Sequence, residues 1–177
     1  MRGSSSATGS RKIPTIGVRR FGPDDAEFCF RTRAHAFIVE FYPEVGPEVV
    51  AAGVNAHMPR DYVRMARGSE FFIVEEAGTP VGFFVLKRVD RTTAEIALIY
   101  LSVGARGKGI GRWCVQQVEE RTRSAWAEVA TLFLETIVPE YNGAFYRNVG
   151  FTPVAETVYS YPDLEVRAVR YEKRLRP

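Results

Sequence analysis

The sequence predicts an α/β (α+β) fold in one domain, a single mixed, mostly antiparallel sheet of about six to seven strands flanked by about four helices. Three observations carry that expectation. Residues 70–75 and 81–89 are β-rich apolar runs joined by Glu76-Ala-Gly-Thr-Pro80, the composition of a tight hairpin. Residues 94–103 are almost unbroken apolar sequence with Glu95 as the one charge, as in a central strand covered on both faces. Beyond it, runs of strand length alternate with stretches of helical period.

Taken in order, residues 1–11 are rich in Ser and Gly without apolar period. They read as a disordered leader or tag remnant, leaving 12–177 as the single domain. Residues 13–21 read as the first strand. Gly22-Pro-Asp-Asp25 then supplies a turn and acidic helix-start residues, so a helix is expected to run towards Glu40. Pro43 is expected to break the aromatic-rich stretch that begins at Phe37, and 46–67 carries a second helix ending near Gly68. After the hairpin and the central strand comes a helix over 109–127, with Ile110, Trp113, Cys114, Val118, Ala125 and Trp126 on its apolar face. A strand over 130–137 leads to a short helix over 139–149, with Asn142 as candidate cap and Gly150 as its stop. Residues 151–160 and 165–175 are the last two strands, joined at Tyr161-Pro-Asp163.

A chain of 177 residues, 46% hydrophobic and 25% charged, is long enough to bury one sizeable core. No stretch approaches the roughly 20 apolar residues that cross a bilayer, and the start lacks the apolar middle of a secretory signal. A cytoplasmic address and no membrane partner are therefore expected. The two cysteines, Cys29 and Cys114, fall in helical segments and suggest neither a disulfide framework nor a zinc site, so no metal is expected. The net charge of +3 suits a polyanionic small ligand or a weak nucleic-acid surface equally well.

The chemistry-bearing segment is Leu101-Ser-Val103-Gly-Ala-Arg106-Gly107-Lys108-Gly109-Ile110-Gly111-Arg112, a glycine-rich turn between the buried strand and the amphipathic helix. Such a turn is an anion cradle, because glycine lets the backbone approach a ligand and the first amides of a helix have no partner within it. The nucleotide-triphosphate loop is excluded, since Lys108 is followed by Gly109 rather than Ser or Thr. The dinucleotide fingerprint also fails: a start at Gly107 or Gly109 puts Arg112 or Cys114 at its last position.

What fits is Arg106-x-x-Gly109-x-Gly111 followed by a second cluster, Asn142-Gly-Ala-Phe145-Tyr146-Arg-Asn-Val-Gly150-Phe151. With these two clusters in this order, the chain resembles the GNAT superfamily of acyl-coenzyme A-dependent N-acyltransferases over roughly residues 71–175. The resemblance implies acetyl-CoA as cosubstrate, with pyrophosphate on the amides from Gly107 to Arg112 and the pantetheine arm along Leu101 and Val103. Asn142 and Phe145 fall on the cofactor side by the same resemblance, although Asn142 reads equally as a helix cap.

Amine acylation needs a neutral amine, a stabilised oxyanion and a proton for the departing thiolate. Asn142 and Tyr146 lie four apart on one helix face, and by the resemblance Tyr146 is the general acid. A phenol with an ordinary pKa of about 10 stays protonated at neutral pH and can donate to the thiolate. Packing as a core aromatic beside Phe145 is the other reading of Tyr146. Glu95 looks like the glutamate with which some members deprotonate the amine, since a lone carboxylate in an apolar strand should have a raised pKa. A solvated edge, or a contact to the substrate's cation, is the alternative for Glu95, and Glu75 and Glu135 are reserves. The resemblance puts the oxyanion donor at the backbone near Leu101, at a break in strand pairing.

By the resemblance the acceptor is expected around Phe37 to Glu44, with Phe41, Tyr42, Glu40 and Glu44, and around Tyr159 to Asp163, with Tyr159, Tyr161 and Asp163, aromatic and acidic walls that suit a cationic amine. The resulting expectation is an N-acetyltransferase that works by direct attack in a ternary complex on a primary amine, small molecule or protein. A non-catalytic coenzyme A-binding sensor or scaffold is the alternative. A nucleic-acid surface built from Arg31, Arg33, Arg167, Arg170, Lys173 and Arg174 is disfavoured because those cations are interspersed with acids. A homodimer is left open.

Overall fold

The computed structural model describes residues 15–139 and 142–175, so the expected leader and the start of the strand anticipated from residue 13 lie outside it. Its sheet contains β1 (Ile16–Arg20), β2 (Glu70–Glu76), β3 (Thr79–Arg88), β4 (Thr93–Leu101), β5 (Thr131–Ile137), β6 (Thr152–Tyr161) and β7 (Leu164–Arg174). Their spatial order is β1-β2-β3-β4-β5-β7-β6. Every neighbouring pair is antiparallel except β4 with β5. The β2–β3 hairpin turns at Ala77 and Gly78, both at positive φ (52° and 80°), as the twist of paired strands favours.

Two features of β4 shape everything near it. It pairs with β5 over only three positions, Thr93 with Thr131, Ala94 with Leu132 and Glu95 with Phe133. Beyond Glu95 the two strands part. On its other side β4 bulges: Val85 faces Leu98 and Leu86 faces Ile96, which leaves Ala97 as the extra residue.

Helices cover both faces. On one, α4 (Ile110–Ala125) and α5 (Gly143–Asn148) bury Ile110, Cys114, Val115, Val118 and Tyr146 against Phe84, Leu86, Leu132 and Leu134. On the other, α1 (Ala26–His35) and α3 (Pro59–Met65) set Cys29 and Tyr62 against Ile73, Phe83 and Leu98. A π-helical continuation of α1, Ala36–Phe41, and α2 (Tyr42–Asn55) pack Phe37, Phe41 and Val50 against Ile137, Tyr161 and Val166. Among the described residues no helix is long and apolar enough to cross a membrane.

The helical half departs from expectation in three places. Pro43 does not break the chain, because it sits in the first turn of α2, where a missing N–H costs nothing. The break falls instead at Gly46 (φ 79°, ψ 170°), just ahead of Pro47. The expected second helix is divided into α2 and α3, since Pro59 starts a new helix with Met58 extended as its N-cap. The last short helix begins at Gly143, later than expected, with Pro139 and Asn142 outside it.

The tightest backbone approach beside the site is at Gly82 on β3, opposite Leu101. A Cβ there would sit 2.6 Å from the Tyr100 carbonyl oxygen and also against the Leu101 side chain. Gly82→Ala is expected to destabilise the protein by about 1–3 kcal/mol, the usual cost of overpacking, because a backbone carbonyl cannot rotate away. Urea unfolding checks this: an unchanged midpoint would show that β3 and β4 can separate freely.

Candidate active site

Where β4 and β5 part, a cavity of about 710 Å³ opens and reaches both faces of the sheet. Its walls are the second halves of the two strands, the turn before α4, the start of α5, the π-helical segment and the end of β6. Of the sequence-derived candidates, Leu101, Arg106, Gly107, Gly109, Gly111, Arg112, Asn142, Phe145, Tyr146, Phe41 and Tyr159 line it.

At one end lies the turn. Gly107 and Gly109 hold positive φ (71° and 82°), and Gly109 is the left-handed N-cap of α4. The first helical bond runs from the Trp113 amide to the Gly109 carbonyl at 3.1 Å. The amides from Gly107 to Arg112 therefore have no acceptor among the described residues, which leaves a row of donors at a helix start. A Cβ at Gly111 would crowd the Phe145 ring at 3.2 Å, so the loop and α5 meet closely over the cavity. These features fit a diphosphate.

Arg106 lines the cavity while bonded to the protein itself. Its guanidinium donates to the Leu101 carbonyl (Nη2 at 2.9 Å, Nε at 3.3 Å) and is ion-paired with Glu40 of the π-helical segment. It braces the end of β4 against the acceptor wall. Lys108 pairs with Glu76 at 3.3 Å, Ile110 turns into the core (3% exposed) and Val103 faces solvent. The side chains of these three do not line the cavity.

Strand alternation supplies a further donor. The Ser102 amide binds the Val81 carbonyl at 2.8 Å, so the amides of Ile99 and Leu101 face away from β3 and into the gap. The break in pairing expected near Leu101 is present: no β5 residue pairs with β4 beyond Glu95.

Tyr146 is buried, with its ring edge-on to Phe145 (5.4 Å) and Phe151 (6.1 Å), and it also lines the cavity. Tyr146 thus packs beside Phe145 and also reaches the cavity wall. Burial pushes its phenol up to about 12, partly opposed by a hydrogen bond from the Asn142 side chain. Asn142 occupies the N-cap position of α5 without a side-chain capping bond, and its buried Oδ1 has no partner among the described residues. An orphaned acceptor in this wall fits a ligand amide.

Glu95 does not line the cavity. It lies on the α1/α2 face at the last paired position of β4, and its carboxyl is raised by burial, against the opposing charge of Lys87 and with reinforcement from Glu135. Glu135 does line the cavity, and Arg170 holds it at 3.2 Å. Glu75 is tied to Arg19 at 2.7 Å, towards the β1 edge. Tyr42 and Glu44 are exposed at the start of α2 rather than lining the acceptor wall, since the continuous helix carries them past it.

Phe37, at the start of the expected acceptor region, lines the cavity, and so do Arg33 and Tyr100, which were not singled out for it. Arg33 falls on the stripe Ala26, Cys29 and Phe37, a helical period that places it on the inner face. That was the available signal. The six cations grouped as a nucleic-acid surface do not share a face: Arg33 is buried, Lys173 bonds Glu119 and the Val149 carbonyl, and Arg170 lies over Phe133.

Comparison with known proteins places this geometry. A model of the acetyltransferase (GNAT) family matches residues 27–151. No curated protein matches the chain in sequence. Among solved structures, a GCN5-related N-acetyltransferase (aminotransferase, class-II) from Rhodopseudomonas palustris superposes with a TM-score of 0.79 at 17% identity, over 94% of this chain and 100% of that one. Ard1 from Thermoplasma volcanium gives 0.70 at 23% identity, over 92% and 99%. The PaiA N-acetyltransferase from Thermoplasma acidophilum, solved in complex with coenzyme A, gives 0.71 at 17%, over 90% and 99%. At these identities the likeness is one of fold, whereas the family model spans well over half of the sequence, and the chain therefore belongs to the GNAT family of acetyltransferases.

Proposed function

We propose that this protein transfers acetyl from acetyl-CoA to a primary amine by direct attack within a ternary complex. The observation that carries this reading is the cavity through the parted strands, with free amides at one end and aromatic and acidic side chains at the other. The amides from Gly107 to Arg112 would hold the pyrophosphate, and the exposed edge of β4 at Leu101 would pair with the pantetheine arm. Bound there, acetyl-CoA supplies the activated acyl carbon.

The chain's own groups divide the remaining work. The Leu101 amide, aimed into the gap, stabilises the oxyanion that develops when the amine attacks the thioester carbonyl. As the C–S bond breaks, the Tyr146 phenol gives its proton to the thiolate, and its high pKa keeps that proton available throughout the neutral range. The amine's proton goes to the carboxylates below the gap. Glu135 stands at the wall, and Glu95 behind it has the raised pKa that suits a base.

Thiol release from acetyl-CoA across polyamines, amino acids, lysine peptides and protein N-termini tests the reading. Clear binding of acetyl-CoA with no turnover of any amine would favour a sensor or scaffold instead. Tyr146→Phe is expected to lower kcat by about 10²-fold or more while the calorimetric Kd for acetyl-CoA stays the same. Equal kcat in the two proteins would remove Tyr146 from the chemistry.

The pH dependence has a definite sign. A base must be unprotonated, so kcat/KM should rise with pH through a limb above the usual carboxylate range, as burial of Glu95 requires. Tyr146, pushed up to about 12, contributes no falling limb near neutrality. Glu95→Gln should flatten the rising limb, and a profile that survives it unaltered would assign the base to Glu135, which Glu135→Gln would confirm.

A further inference from the structure

Arg33 is a cation inside the protein with no anion to meet it among the described residues. It is 3% exposed and lines the acceptor side of the cavity. One guanidinium nitrogen donates to the Gly53 carbonyl, and the group lies 4.7 Å from the Phe37 ring centre and 6.0 Å from that of Tyr100. Its Nε is buried without an acceptor, and no carboxylate comes within ion-pair reach among the described residues. An arginine stays ionised at every relevant pH, and a buried charge without a counter-ion is among the costliest arrangements a fold can hold.

The carboxylates that line the cavity are already matched among the described residues. Glu40 is paired with Arg106, and Glu135 with Arg170. Among the described residues Arg33 keeps a guanidinium nitrogen unmet on the acceptor side, and guanidinium nitrogens form the fork that fits a carboxylate. Glu135 lines the same cavity from β5, with Glu95 behind it and Tyr159 within electrostatic reach of both and of Arg33. A positive group and carboxylates around one cavity form the complement of a zwitterion. Tyr100 and Tyr146 line the same cavity, with the Tyr100 ring centre 6.0 Å from the Arg33 guanidinium carbon.

We infer that Arg33 anchors the carboxylate of the acceptor, and that the acceptor is a free α-amino acid whose amine lies towards Glu135 and the parted strands. This rests on the acetyl-transfer reading and narrows it, replacing the purely cationic amine suggested by the aromatic and acidic walls. A polyamine or a lysine side chain would leave the guanidinium unmet.

The test uses the full protein loaded with coenzyme A, titrated calorimetrically with the twenty common α-amino acids, their carboxamides and their decarboxylated amines, alongside thiol release with acetyl-CoA. At least one acid should bind and be acetylated, with its carboxamide and its amine weaker by about tenfold or more. Arg33→Lys, which keeps the charge and loses the fork, should weaken the acid by about tenfold, with the Kd for coenzyme A as the control for folding. Should that variant not fold, the comparison of acid with carboxamide in the unaltered protein decides. Carboxamides that match their acids, or no acid bound, overturn the inference; acetylation of polyamines or lysine peptides would then leave the transferase standing. Carboxylate-dependent binding without thiol release from any amine would keep the anion site and sink the transfer reading.

Discussion

The parting of β4 from β5 after three paired positions is the constraint on which the rest depends. A sheet normally satisfies its backbone groups between strands, and an unpaired edge within it is costly unless something else binds there. Here the amides of Ile99 and Leu101 are turned into the gap, beside the free amides at the start of α4. One half of the cavity is therefore backbone, able to bind a ligand whatever the side chains are. The other half is side chain and, under the proposed function, is where acid, base and selectivity would come from.

The bulge at Ala97 makes that division work. Without it, alternation would keep Ala94, Ile96, Leu98 and Tyr100 on the α4 face, and Leu101 on the other. The extra residue reverses the pattern: Leu98 and Tyr100 pack with the α1 and α3 side, and Ile99 and Leu101 with the α4 side. One inserted residue thus gives Tyr100 to the acceptor wall and Leu101 to the α4 side. Arg106 then links the two, since it holds the Leu101 carbonyl and Glu40 of the π-helical segment at once. Movement of the turn would be felt at the acceptor wall.

How far the sequence disclosed this follows from how local each feature is. The hairpin, the apolar central strand and the glycine turn were legible because turn chemistry and burial on both faces leave marks within about ten residues. The breaks in the helical half were less so. Pro43 and Gly46 stand three apart, and only the register of α2 decides that the proline falls in a permissive first turn while the glycine takes the bend. The site was legible where backbone makes it, and blurred where side chains do. Arg106 and Lys108 looked like ligand cations, yet each finds a carboxylate brought from a distant segment, Glu40 and Glu76. Arg33 looked like one of several surface cations until the packing of α1 put it inside.

The disposition of the remaining nucleophiles bears on the order of the reaction. A route through an acetylated enzyme would need a side chain that is both reactive and able to meet the thioester. Cys29 and Cys114 are wholly buried, each packed in a core cluster, and burial drives both thiols upward, Cys114 to about 12. Neither yields a thiolate at neutral pH. His57 is pushed down to about 4 by burial and by Arg33, and it sits at the end of α2 edge-on to Tyr62 rather than in the cavity. With those groups out of reach, the acyl carbon has the incoming amine as its natural partner, which favours both substrates bound together. The parted strands permit that arrangement, because they let the cavity reach both faces of the sheet, so that donor and acceptor need not share an entrance.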